Sequence, residues 1–365
     1  MAKNKVEYAD TLLERVFRWE RFPKGEVGIE VEVEGGPWPE EVITNWTPHA
    51  DGSLRNGIEY VIRQPVMRDR VRSALDTLVA GLAGRNLVFS FRTSIHVHIN
   101  VQDMTVRQWV NFISLFCIFE EALVNVVGPE RAGNKFCLRL KDAEEPLQRV
   151  VDGLKAQNLS VHINGDLKYA SMNVKATRTH GTLEFRAMRG NLDPAFINDW
   201  VMVLAGLKDA AKKANSPTLF IEELSMMGPA AFAAKYLPVN NSITRGVLMQ
   251  ADLNDLLYGG VRLAQDLAYS QEWPEPGVAD SPRRRPDEID EEAVPAPEGL
   301  NFLGGEPAQI NWADLRIPIQ QGRPPRRRRV APVAAPIAPG GVMADHIDWD
   351  QFVRPAPMFI EDDNF

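Results

Sequence analysis

GIEVEVE, residues 28–34, sets Glu30, Glu32 and Glu34 in alternation with Ile29, Val31 and Val33. Successive side chains of a strand point to opposite faces, so this strand has one apolar face and one acidic face. Like charges this close repel, and such a row is tolerated in open water or around a cation. A strand of an antiparallel sheet with one solvated face accounts for the alternation by itself. The rest of the chain tips the balance toward a site.

The alternation recurs with similar chemistry. In TSIHVHINV, residues 93–101, His96, His98 and Asn100 share a face and Ile95, Val97, Ile99 and Val101 share the other. In GTLEFRAM, residues 181–188, Thr182, Glu184 and Arg186 oppose Leu183, Phe185 and Ala187. In GIEYVIR, residues 57–63, Glu59 opposes Ile58, Tyr60 and Ile62. In KYASMNVK, residues 168–175, Tyr169, Ser171, Asn173 and Lys175 oppose Ala170, Met172 and Val174. A solvated face usually mixes Thr, Ser, Lys and Gln. This one offers carboxylates, imidazoles and a guanidinium, a set suited to divalent metal and a phosphorylated ligand.

Composition bounds the rest. The 365 residues are 44% hydrophobic, enough for a sizeable core. A net charge of −8 argues against a nucleic-acid partner. Cys117 and Cys137 are not in a CxxC arrangement and read as buried free thiols of a reducing cytoplasm. The start, MAKNKVEYAD, lacks the apolar core of a signal peptide, and no membrane association is expected. VNFISLFCIFEEALVNVVG, residues 110–128, is interrupted by Glu120 and Glu121 and reads as a buried helix.

Composition changes near residue 271, where proline, arginine blocks and acidic blocks take over. The expected organisation is an N-terminal extension over 1–22, a catalytic domain over 23–270 and a mostly disordered tail over 271–365. Two islands in the tail, NWADLRIPI (311–319) and DHIDWDQFV (345–353), could dock on a protein partner. Arg283–Arg285 and Arg326–Arg329 read as solvated tail charges.

Within the domain, strands are expected at 26–34, 57–64, 93–101, 168–176 and 181–188, the last two as a hairpin across ATRTHG. Helices are expected at 8–21, 66–83, 105–127, 143–157, 194–213, 228–236 and 243–269. Thr105 with Gln108 has the spacing of a capping box. The class is α+β, with an antiparallel sheet covered by helices on one face.

Five pieces in order carry a resemblance: GIEVEVE (28–34), DGSLRNGIEYV (51–61), SIHVHINV (94–101), ERAGNKFC (130–137) and NVKATRTHGTLEFRAMRGNLDP (173–194). Together, over about residues 25–205, they resemble the amidoligase family, relatives of glutamine synthetase and glutamate–cysteine ligase in bacterial and phage genomes. The resemblance implies a curved antiparallel sheet of the glutamine-synthetase-like catalytic type. It also implies ATP- and Mg²⁺-dependent joining of a carboxylate and an amine through an acyl-phosphate, in the cytoplasm of a bacterium or phage-infected cell. The substrates would be small-molecule or peptide acids and amines. By the same resemblance Glu30, Glu32, Glu59, His98 and Glu184 would hold metal, and His96, Arg131 and Arg186 would act on the acyl or phosphoryl group. Asn173, Lys175 and Arg189 would contact the nucleotide. His98 is preferred to His96 as ligand because it sits deeper in its strand. No GxxxxGK[ST] loop is present, so nucleotide would be held through metal and arginine.

Some readings compete. Glu34 fits either a third ligand or a solvated strand end, and Asp51 in HADGSL reads as a turn residue. The same carboxylates could activate water in a metal-dependent hydrolase or phosphodiesterase. A non-catalytic interaction protein retaining the ligase fold is the third alternative.

Overall fold

The computed structural model describes residues 5–19, 25–38, 43–131, 133–163 and 169–273. The tail islands and arginine blocks lie outside the described residues. The fold is α+β, built on one curved, unclosed antiparallel sheet with helices. Its strands are β1 (Val27–Gly35), β2 (Trp46–His49), β3 (Gly57–Ile62), β4 (Leu87–Val88), β5 (Ser94–Asn100), β6 (Met172–Asn173) and β7 (Thr182–Arg189). They lie in the order β2-β3-β1-β5-β7-β6, and β4 pairs with the end of β1.

The apolar face of the sheet meets the core. Ile29, Val31 and Val33 of β1, Ile95 and Val97 of β5, and Leu183 and Phe185 of β7 are fully buried. Phe185 packs on Phe116 and Phe112 of the helix Val106–Val127, at ring-centroid distances of 4.8 and 5.5 Å. Length and composition would let that helix cross a membrane, yet 83% of its apolar window is buried inside the protein, as expected of a core helix. The capping box forms: the Thr105 hydroxyl accepts from the Gln108 amide at 3.3 Å and the Gln108 side chain accepts from the Thr105 amide at 3.0 Å. Gly260 allows the helix Leu253–Ala268 to approach this core helix closely. A Cβ there would lie 2.3 Å from the Cys117 carbonyl oxygen.

Local expectations are corrected in places. The expected hairpin forms, β6 pairing antiparallel with β7, but ATRTHG joins the two strands through the short helix Ala176–His180, closed by Gly181 at φ 66°. The strand before it shortens to Met172–Asn173, because Ser171 and Tyr169 bond to the backbone of Leu138 instead. The single helix expected over 243–269 is two, Ser242–Leu248 and Leu253–Ala268. Between them the Gln250 side chain donates to the Ala122 carbonyl at 2.7 Å, which fixes the break. A further helix, Thr218–Met227, carries no clear start signal, its N-cap position being Pro217. Expected helix 66–83 begins as a 3₁₀ turn at Arg68–Arg70 before Val71–Gly81.

The N-terminal segment joins the same core through Tyr8, Ala9 and Leu13. At the other end the folded unit runs past 270, with Ser270 and Gln271 buried and Trp273 Nε1 donating to the Ala268 carbonyl at 2.7 Å.

Candidate functional site

Register places the polar side chains in rows across the face opposite the core. Glu32 of β1 pairs with Glu59 of β3, and Glu30 pairs with Val61 on that side and His96 of β5 on the other. His98 lies between Gly28 of β1 and Glu184 of β7, and Asn173 of β6 follows Glu184. Residues far apart in sequence therefore meet at one place. The face is not solvated: Glu32, Glu184 and His96 are 2%, 6% and 2% exposed.

His96 occupies the centre. Its Nδ1 is 2.8 Å from Glu30 Oε2, 3.8 Å from Glu184 Oε1 and 3.9 Å from Glu59 Oε1. Its Nε2 lies 2.8 Å from Ser94 Oγ and 3.6 Å from Glu32 Oε1. Ser94 fixes Glu32 twice, donating to Oε2 from its amide at 2.7 Å and its hydroxyl at 2.6 Å. His98 Nε2 is 3.2 Å from Glu30 Oε1, and its Nδ1 is 2.9 Å from Thr182 Oγ1. Arg186 donates to Glu184 through Nη1, while its Nε is buried without a protein partner among the described residues. Asn173 donates to the other oxygen of Glu184 at 2.6 Å.

A bulge aims the arginine. Ile95 pairs with Met188 and Val97 with Phe185, so Arg186 and Ala187 together oppose His96. A bulge bends its strand and redirects side chains. Here it brings Arg186 Nη1 to 3.5 Å from His96 Nδ1.

Electrostatics divides the carboxylates. Burial, then the neighbouring Glu30, Glu32 and Asp51, pushes Glu59 up to about 9. Burial would also raise Glu30, but hydrogen bonds to His96 and His98 outweigh it and hold this carboxyl well below its ordinary value. Glu184 is lowered despite burial by the charges of Arg186 and the two histidines. A cluster that keeps a proton on one carboxyl has more acid than its own cations neutralise.

Three sets of ligand atoms lie within 4.8 Å of one another: Glu30, Glu59 and His96; Glu30, His98 and Glu184; and Glu32, Asp51 and Glu59. The carboxylate cluster can thus hold a metal ion, and its shared members Glu30 and Glu59 join the three positions. Oxygen-rich donors with imidazole suit a hard divalent cation.

The structure gathers Glu30, Glu32, Glu59, His96, His98, Glu184, Arg186 and Asn173. The other candidates have these places. Arg131 is buried, and its Nη1 donates to the Thr93 carbonyl at 3.2 Å, beside the strand end that carries Ser94. Arg189 is exposed and pairs with Glu130 at 3.1 Å. Lys175 begins the short helix, its amide bonded to Asn173 Oδ1 at 3.0 Å. His96, not His98, is the more deeply placed histidine, at 2% against 14% side-chain exposure. Glu34 is not a solvated strand end: it is 6% exposed and accepts from the Arg55 amide at 2.7 Å.

Sequence reasoning missed Asp51 as a candidate ligand and Ser94 altogether. Ser94 shares the phase of His96 and His98, which was a usable signal. Asp51 does make the expected turn, accepting from the Ser53 amide at 2.6 Å, and the same turn delivers it to Glu32 and Glu59. A rim of cations on aromatic rings was also missed. Arg55 and Arg92 each lie 5.7 Å from the Phe91 centroid, and Lys135 lies 4.9 Å from that of Phe136. Phe136 and Tyr169 meet edge-on at 5.7 Å, and Arg186 lies 5.8 Å from the Tyr169 centroid, so the rim ends in the cluster.

No curated protein matches the chain. Residues 61–207 match a family model described as "Putative amidoligase enzyme". The matched span holds β5, β7 and their His96, His98, Glu184 and Arg186, and it ends inside the helix Pro194–Lys213. The match over residues 61–207 supports the resemblance to the amidoligase family, a family of ligase-type enzymes.

Proposed function

We propose that the protein is an ATP- and magnesium-dependent carboxylate–amine ligase that forms an amide through an acyl-phosphate. The observation that carries this reading is the meeting of Glu30, Glu32, Glu59 and Glu184 around His96, with Arg186 at the edge. Phosphoryl transfer to a carboxylate crowds several anionic oxygens, so a catalyst needs cations fixed before the reaction. Magnesium at the carboxylates would neutralise the phosphate oxygens. Glu30, Glu32, Glu59, Asp51, His98 and Glu184 are the residues that would hold it.

In this reading an oxygen of the acid attacks the terminal phosphorus, the bond to the bridging oxygen breaks, and ADP departs. The amine nitrogen then bonds to the acyl carbon while the carbon–oxygen bond to phosphate breaks, and the amine gives up a proton. Arg186 braces the moving phosphoryl group with its unpartnered Nε and planar fork. His96, held on both ring nitrogens, keeps the acidic side chains apart at fixed distances. The rim of Arg55, Arg92 and Lys135 supplies positive charge and ring faces for the nucleotide. Arg131 braces the Thr93 backbone and acts on the site through Ser94. Two free, buried cysteines suit a cytoplasmic location.

The test is ADP formation with MgATP across a panel of amino and dicarboxylic acids, using hydroxylamine to trap the acyl-phosphate as hydroxamate. Turnover that requires both an acid and an amine, and a hydroxamate bearing the acid, are expected. ATP hydrolysis indifferent to the acid would reject the ligase assignment.

A further inference from the structure

The sheet face is polarised along its strands. At the C-terminal end of β1 stands the rim of arginines and aromatic rings, linked to β1 by the Arg55 amide on Glu34. At the N-terminal end of β1 lies a cleft of about 250 Å³ whose lining contains no lysine or arginine. Gly28 is its floor. This residue faces the polar side, opposite His98, and a Cβ there would stand 3.3 Å from His98 Cβ. Glu30 and His98 close the inner end, Val61 and Pro65 form one wall, and Asn100 and Thr182 form the other. Arg68 stands nearby, but it is spent on Glu26 at 3.1 Å and Asp209 at 2.6 Å.

These features sort the two reactants by charge. Before any metal is bound, this end offers a polyphosphate the Glu30 carboxylate and no lysine or arginine, whereas the rim attracts it. A primary ammonium finds the reverse. The walls of the cleft are largely hydrocarbon, and from Glu26 to Glu30 the floor runs four strand residues, about 13 Å. That length and lining fit an alkyl chain with its nitrogen directed at the carboxylate.

We propose that the cleft over Gly28 is the amine site, and that it takes an unbranched aliphatic primary amine such as a lysine side chain, giving an isopeptide bond. The inference rests on the ligase reading for the reaction, but the site itself is tested by binding alone.

The full chain is titrated with n-butylamine, n-butanol, sodium butyrate and adenosine, and the imidazole ¹H–¹⁵N resonances of His98 and His180 are followed. His180 lines the cleft and sits 5.8 Å from His98, ring to ring, so both report on it. Butylamine is expected to shift them saturably, at least about tenfold more tightly than the alcohol, an advantage of the size given by one charged contact. Val61→Phe, which fills the cleft from its wall, and Gly28→Ala, which narrows its floor, are expected to weaken the effect. Thermal unfolding and the His96 resonance confirm that each variant is folded. Equal response to the alcohol, tighter binding of butyrate or adenosine, or no effect of either folded variant overturns the amine site. ADP formation is measured in parallel. Butylamine binding without any acid-dependent ADP formation would leave the cleft standing and remove the ligase. Acid-dependent ADP formation without butylamine binding would do the opposite.

Discussion

Replacing Glu59 by glutamine is expected to stabilise the metal-free protein, by an amount that grows with pH. Burial and three neighbouring carboxyls push Glu59 up to about 9, from 4.5 for a free side chain. The folded protein therefore holds a proton that the unfolded chain has already released. A group whose folded value is raised contributes its full stability below the unfolded value and loses it as pH climbs to the folded one. Here the loss runs from pH 4.5 to about 9. At about 1.4 kcal/mol per pH unit it reaches up to about 3 kcal/mol at neutral pH. Glutamine keeps the shape, has no proton to lose and removes that slope. For a folded unit of this size the gain corresponds to a rise in Tm on the order of 5–10 °C. Thermal unfolding of both proteins in EDTA, at about pH 5, 7 and 8.5, measures it. Magnesium replaces the proton as the neutralising charge, so saturating magnesium should raise the wild-type Tm more than that of the variant. Parallel pH profiles, or a variant less stable than wild type at the highest pH, would refute the account of mutual repulsion.

Three further outcomes are expected. In the Glu59→Gln background, stability should still fall by up to about 3 kcal/mol as pH rises from about 4.5 and level off above neutrality. The cause is Glu120, pushed up to about 7 by burial despite hydrogen bonds from Ser171 and the Leu140 amide, and urea unfolding against pH reads it. Arg186→Lys keeps the charge and loses the planar fork, so kcat should drop about 10²-fold while the Kd for MgATP moves little, as stopped-flow and equilibrium dialysis would show. Gly128→Ala should cost about 1–3 kcal/mol of stability and lower kcat, because the new methyl meets the Ala187 carbonyl oxygen at 2.4 Å and must displace the bulge. Unchanged hydroxamate formation in a folded Gly128→Ala protein would show that the bulge does not set the arginine.

Much of the site was legible because a period of two is a strong constraint. Once Ile29, Val31 and Val33 are assigned to the core, Glu30, Glu32 and Glu34 have no choice of face, and the same holds for His96 and His98. What alternation does not carry is the neighbour across the strand. Whether Glu32 meets Glu59 or a different residue depends on register, which is set by loops and core packing along the whole sheet. Position along the strand ranks His98 first, whereas register adds that His96 pairs with Glu30 and stands at the centre of the acids; both lie in sets that can hold a metal. Nor does a motif name the partners of Arg131 and Arg189, which are the Thr93 carbonyl and Glu130.

The bulge in β7 is the clearest case of information absent from the local pattern. Thr182, Glu184 and Arg186 alternate outward as expected, and an unbroken strand would then put Met188 outward as well. Met188 is instead fully buried and Arg189 exposed, because Arg186 and Ala187 share one place opposite His96. The extra residue changes phase after the arginine, so the end of the strand returns to the core while Arg186 stays over the acids. Gly128 makes room for this at the end of the long core helix, where any side chain would meet the Ala187 carbonyl. The position of the arginine in the cluster is therefore set by a contact from the far side of the sheet. A residue with no chemistry of its own, in the core, fixes the geometry of the group assigned to the phosphoryl transfer.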